Sequence, residues 1–198
     1  KTGCKRLVNS GVGVLQWACD LGYSPTRSAT HTAALTGRLP ELQFLRAKGC
    51  PWGWMTCAMA AMSGELTLLQ WAIANGCPLD NNESMIVEMA TLKGELRVVQ
   101  WAISNNYPWD KGTCVSAAIG GHLEVLQWLR ANGCPWDAAT CSAAAMNGKL
   151  AVLQWARANG CRWNERACAD AAMNGHLEIL KWLRANGCPW DEVTCWRA

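Results

Sequence analysis

The sequence predicts an all-α solenoid of about seven stacked helix-turn-helix units, and three observations carry that expectation. Glycines recur at a fixed interval: Gly37, Gly64, Gly94, Gly121, Gly148 and Gly175 are spaced 27, 30, 27, 27 and 27 residues apart. The stretch between them is one tile. Residues 122–148 read HLEVLQWLRANGCPWDAATCSAAAMNG, residues 149–175 read KLAVLQWARANGCRWNERACADAAMNG, and a third copy starts at His176. Within each tile, apolar residues follow the i, i+3, i+4 spacing of a helix face. A period of this length marks a stacked repeat array, in which each unit contacts only its neighbours.

Each element of the tile has a local reason. Leu123, Val125, Leu126, Trp128 and Leu129 fill one face of a short helix, here helix B, with Glu124, Gln127 and Arg130 opposite. Asn132-Gly133 ends it, the glycine taking the left-handed position past the last turn. Pro135 in Cys134-Pro135-Trp136 prevents continuation. Asp137 or Thr140 can cap the next helix, helix A, through Cys141 to Met146. Alanine dominates helix A, which favours helix and lets neighbours approach closely. Helices of about nine residues do not stand alone in water, so they must stack.

The expected units are 1–25, 26–52, 53–79, 80–109, 110–136, 137–163 and 164–190, with an eighth begun at 191–198, all in one array. The first is degenerate, with helix A from Cys4 to Val8 and helix B from Val12 to Cys19. The fourth carries three extra residues, placed in Asn81-Asn82-Glu83-Ser84. Two aromatic ladders follow. Trp17, Phe44, Trp71, Trp101, Trp128, Trp155 and Trp182 lie on helix B. Trp52, Leu79, Trp109, Trp136, Trp163 and Trp190 lie in the connection. Phe and Leu substitute in them, so both positions ask for apolar bulk, and both ladders are expected in the core.

Composition excludes several classes. The net charge is +3, shared evenly by the two halves, with no basic block, so nucleic acid is not an expected partner. No run of about 18 apolar residues exists to span a membrane. The chain starts at Lys1 and stops at Ala198, just inside a new tile. Both ends read as cut from a longer protein, so an organelle stays open beside the cytoplasm.

Ten of the twelve cysteines fall on two ladders, Cys50, Cys77, Cys134, Cys161, Cys188 and Cys57, Cys114, Cys141, Cys168, Cys195. Equivalent positions in stacked helices lie roughly 8–10 Å apart, beyond the ~7 Å Cα separation a disulfide tolerates. Reduced thiols packed as small core residues are expected, and hence an intracellular, reducing compartment.

The run Gly121-His122-Leu123-Glu124-Val125-Leu126, with Ala117 and Ala118 before it, resembles the ankyrin repeat's A-A-x-x-G-H-L-x-V-V. Ala171 to Leu180 and Ala144 to Leu153 match it as well. Asn132-Gly133-Cys134-Pro135-Trp136-Asp137 stands where ankyrin repeats have A-G-A-D-V-N. The chain departs from that family in period, 27 against 33. The six missing residues fall between Asp137 and Thr140, where ankyrin repeats project a β-hairpin finger. Thr140-Cys141-Ser142 replaces the T-P-L-H opening. The chain therefore resembles short, finger-less ankyrin-like arrays. The resemblance implies a non-catalytic scaffold or adaptor that binds proteins, the helix A face being one of that family's binding surfaces.

No catalytic set and no cofactor is expected. His122 and His176 share a repeat position also filled by Arg38, Glu65, Glu95 and Lys149, so they read as surface residues at a helix start; His31 stands alone on helix A. Cys134/Cys141 and its copies show C-x6-C, whereas zinc knuckles use C-x2–4-C, so no metal is expected. Arg46, Arg130, Arg157 and Arg184 read as a solvated ladder with buried stems.

Candidate binding residues lie on helix A. The residue two before its glycine is Leu35, Met62, Leu92, Ile119, Met146 or Met173, large and apolar in every copy. Burial between units is the favoured reading; an apolar groove for a partner segment is the other. The positions copied least faithfully are the start and outer face of helix A, among them Arg27, Lys111, His31, Met59, Glu88, Ser116, Ser142 and Asp170. Partner specificity can be written there. Trp54, Met55 and Met59, bulky and outside both ladders, are the expected hot spot, unless they pack under Pro51-Trp52. A protein partner is expected, as an adaptor's target or, alternatively, as a permanent neighbour in a large assembly.

Overall fold

The computed structural model describes residues 7–81 and 83–190. The start of the expected first helix at Cys4, Asn82 of the insertion, Cys195 and the eighth unit lie outside the described residues. Those residues form thirteen α-helices and one short 3-10 helix, Val8–Ser10, with no strand among them. The chain divides into two compact bodies, Lys1–Ala90 with Arg97–Pro108, and Thr91–Leu96 with Trp109–Ala198.

In the first body, α1 (Val12–Asp20), α2 (Arg27–Leu35), α3 (Leu39–Ala47), α4 (Trp54–Ser63) and α5 (Leu66–Ala74) precede α6 (Met85–Lys93) and α7 (Leu96–Ser104), which lie mostly in this body. Helix α2 packs on α3 and α4, and α4 packs on α5. The second body holds α8 (Lys111–Gly120), α9 (Leu123–Ala131), α10 (Ala138–Met146), α11 (Leu150–Ala158), α12 (Glu165–Met173) and α13 (Leu177–Ala185). Here α10 lies between α8 and α12, and each of these helix A elements pairs with the helix B that follows it. The result is a two-layered helical-repeat solenoid. Past the start of the expected first helix A, a 3-10 turn at Val8–Ser10 leads into Gly11, at φ 95°.

Local chemistry sets the helix ends. Asp110 accepts from the Gly112 amide at 2.7 Å, and Thr113 Oγ1 accepts from the Asp110 amide at 3.1 Å. Asp137 accepts likewise from the Ala139 amide at 3.0 Å. Asp is therefore the cap, and the buried Thr sits a turn inside the helix. Helix B ends in a Schellman turn: Cys134 N donates to Leu129 O and Gly133 N to Arg130 O. The Asn before that glycine adds its own bond, Asn132 Nδ2 donating to Trp128 O at 2.8 Å, repeated at Asn75, Asn105, Asn159 and Asn186. In the fourth unit Asn106 takes the glycine's place at φ 64°, a conformation Asn tolerates better than most side chains.

The core is aliphatic. Helix B contributes Leu68, Leu69, Val125, Leu126, Leu129, Val152 and Leu153; helix A contributes alanines and cysteines. The tryptophan ladders are not in it, contrary to expectation. From Trp52 to Trp190 every ladder Trp is half-buried, and Trp17 is exposed. Instead the ladders pair across neighbouring repeats, edge to face: Trp52 with Trp71, Trp136 with Trp155, and Trp163 with Trp182, centroids 5.7–5.8 Å apart. The arginines are not merely solvated either. The guanidinium of Arg46 lies over Trp52 at 4.1 Å, Arg130 over Trp136 at 4.2 Å and Arg157 over Trp163 at 4.3 Å. Arg46 also donates to Cys50 O, Arg130 to Cys134 O and Arg157 to Cys161 O. An Arg–Trp–Trp stack seals the outer edge of these repeats.

No disulfide joins the cysteines among the described residues, and the close approach that occurs is between the two ladders rather than along either one. The two ladders meet within four of the repeats: Cys57 with Cys77, Cys114 with Cys134, Cys141 with Cys161 and Cys168 with Cys188 are hydrogen-bonded neighbours. That hydrogen bond and burial push the Cys57, Cys114 and Cys141 thiols up, holding them protonated. The connection cysteine also points at the backbone where its own repeat began, Cys134 Sγ donating to Asp110 O at 3.1 Å and Cys161 Sγ to Asp137 O at 3.3 Å. In these four repeats the thiols close the unit on itself.

Candidate partner-binding surface

The helix A layer is the face that the scaffold leaves unfinished. None of the six large apolar residues before the terminal glycines is buried, which overturns the expectation of burial between units. Leu35, Ile119 and Met173 are 44%, 38% and 51% exposed, and Met62, Leu92 and Met146 are half-buried. In the second body, His122 Nε2 donates to Leu92 O and His176 Nε2 to Met146 O, both at 3.0 Å. Each imidazole packs on the helix-ending glycine of the preceding repeat. A Cβ at Gly148 (φ 72°) would meet the His176 ring at 2.9 Å. The helix-start histidines are therefore inter-repeat ties rather than free surface residues.

In the first body, Trp54, Met55, Met59 and Met62 all lie on α4, Trp54 at its first residue and 41% exposed. The three methionines are half-buried. Arg27 opens α2 on the surface, and Glu88 is half-buried on α6. His31 is half-buried, and its Nε2 lacks a hydrogen-bond partner. Burial, with the charge of Arg27, lowers its pKa.

In the second body, Lys111 opens α8 and pairs with Asp137 at 3.0 Å, linking two adjacent repeats. Beside that pair a cavity of about 470 Å³ opens along α8, α10 and α12. Ile119 and Met146 line it, together with Val115, Ser142, Asn164 and Asp170. Ser142 and Asp170 are 5% and 2% exposed, yet Ser142 Oγ, Asn164 Oδ1 and Asp170 Oδ2 have no hydrogen-bond partner. Arg166 Nε stands 3.5 Å from Asp170 Oδ2, an ion pair longer than a hydrogen bond, on a side chain that is mostly exposed.

The structure thus brings Ile119, Met146, Lys111 and the variable positions Ser142 and Asp170 into one neighbourhood. Asn164 was hidden from sequence reading because it occupies the repeat's capping position, where Asp110 and Asp137 cap their helices. Asn164 makes no such side-chain bond. Val115 was hidden because an apolar residue on a helix reads as core. Among the described residues no three His, Cys, Asp or Glu side chains gather as a metal site, and no helix is long and apolar enough to cross a membrane.

No protein-family model matches the sequence, and no curated protein matches it. In structure the chain is similar to the crystal structure of the human ASB11 ankyrin repeat domain. The TM-score is 0.60 at 18% identity, over 82% of this chain and 85% of that one. At that identity the likeness speaks for the fold.

Proposed function

From the premise that the chain has the ankyrin-repeat fold, we propose that it is a non-catalytic scaffold or adaptor whose helix A face docks a protein. The observation that carries this reading is the unburied apolar residue in every described helix A of the full repeats, amid positions that differ from copy to copy. A repeated scaffold conserves what stacking needs; large apolar groups that stacking does not cover are suited to a partner. Trp54, Met55, Met59 and Met62 form one anchor group on α4, with Arg27 and Glu88 on flanking helices. Ile119, Met146 and Met173 form another, with Lys111 at its edge. Buried thiols that pack as small core residues, such as Cys134 and Cys161, favour a reducing, cytoplasm-like compartment.

The test is quantitative capture of partners by the intact chain beside its Trp54→Ala and Met59→Ala variants. Loss of at least one partner, with unchanged helicity, is the expected result. Retention of every partner by both variants removes α4 as an anchor. Exposed Trp17, Leu21 and Leu177 favour a second reading, a permanent subunit of a larger assembly. Aggregation of the isolated chain would support that reading over an adaptor.

A further inference from the structure

We propose that the cavity on α8, α10 and α12 is a receptor for an arginine side chain presented by the docked protein. This rests on the reading of the helix A face as a docking surface and names what one part of it takes. The cavity wall is mostly apolar, from Val115, Ile119 and Met146. Three of its lining residues carry a buried polar atom without a hydrogen bond, Ser142 Oγ, Asn164 Oδ1 and Asp170 Oδ2. Leaving such groups unsatisfied destabilises the fold, most of all for a carboxylate. A carboxylate and an amide oxygen can only accept, and a hydroxyl can accept as well. A ligand that satisfies them must therefore bring several donors and a positive charge. A guanidinium does this, with five N–H groups in a rigid fork, a stem that lies well on apolar wall, and weaker hydration than an ammonium.

The protein already holds a weak copy of the arrangement. Arg166 reaches Asp170 at 3.5 Å from a side chain that is about 70% exposed. This is too long for a hydrogen bond and too exposed to exclude water. A partner's arginine entering from the groove would displace it and leave Arg166 in solvent. Ser142 and Asp170 both stand at positions that the repeat does not copy, so the receptor belongs to this part of the array alone.

The experiment uses the intact chain and two probes. Amide chemical shifts are followed during titration with N-ethylguanidinium and, as the neutral control, N-ethylacetamide. In parallel, a display library of random 12-residue peptides is selected on the chain. Saturable shifts at Ser142, Asn164 and Asp170 with the guanidinium alone, absent in Asp170→Asn, are expected. Selected peptides are expected to carry an arginine beside large apolar residues and to bind Asp170→Asn at least ten-fold more weakly. Asp170→Asn removes a buried charge, so its Tm should equal or exceed that of the parent, which separates lost binding from lost folding. Guanidinium shifts that are absent, or unchanged in Asp170→Asn, overturn the proposal. Peptides that lack arginine and ignore Asp170→Asn overturn it while leaving the docking reading in place. Guanidinium shifts without any selected peptide uphold the cation receptor and count against the docking reading.

Discussion

On the helix B side of the second body, Arg130, Trp136 and Trp155 complete one another: a cation on a ring, a ring against a ring, and a guanidinium on the Cys134 carbonyl. On the helix A side, Ile119 and Met146 stay uncovered, while Ser142 and Asp170 are covered but unsatisfied. Both sides come from the same tile. The first recurs in three repeats with nearly the same geometry; the second changes from repeat to repeat. The contrast teaches that faithful copying and apolar character have different meanings here. Copied Trp and Arg hold repeats together, and uncopied neighbours of an exposed apolar stripe are where a partner is read.

The layer beneath both sides gives the largest effect. Leu153→Ala empties a fully buried site and is expected to cost about 2–5 kcal/mol in denaturant unfolding. If it also abolishes partner capture at temperatures where the fold is intact, the two sides are not separable. Trp163→Ala comes next. It removes an edge-to-face partner of Trp182 and the platform under Arg157, an expected loss of about 1.5–3 kcal/mol with binding unchanged. Weakened capture by this variant would place the partner on the helix B side.

Lys111→Ala breaks a half-exposed ion pair with Asp137, expected to cost about 0.2–1 kcal/mol and less at high salt. Ile119→Asn should move stability by no more than about 0.5 kcal/mol while weakening capture; a larger loss of stability would mean that the stripe is structural after all.

The smallest effect concerns His31, which stands at the repeat position of Ser142 and also carries an unpartnered atom. Its pKa is lowered by burial and by Arg27, from an ordinary value of 6.5. The unfolded chain therefore takes up this proton first as the pH falls. The stability it contributes is fully present above about pH 6.5 and is lost below it. A Tm measured from pH 7.5 to 5.5 should decline, and His31→Gln should flatten the decline. An unchanged slope in the variant would detach His31 from it.

Much of this architecture is legible in the residues. Asp137, the Asn132-Gly133 pair and Pro135 mark helix ends by local rules that need no neighbour, and the 27-residue interval implies stacking. Misjudged residues share another feature: their state depends on a second repeat. Trp136 reads as core by its size, but its ring is met by Trp155 and Arg130 at the edge of the stack. Met146 reads as buried by its recurrence, but it is half-buried and lines the cavity on α8, α10 and α12. Cys141 and Cys161, twenty residues apart, look remote until the chain turns back and brings their sulfurs together.

The repeat, the two helices within it and the aliphatic stripe that must be covered can be read along one chain, because they follow from backbone geometry and spacing. Which apolar residues are covered, which residue caps helix A, which thiols meet and which buried polar atoms find no partner are set by packing between elements. Those outcomes depend on how far one repeat is turned and shifted against the next. Side-chain volumes in two repeats set that displacement jointly, and the linear pattern of one repeat does not encode it.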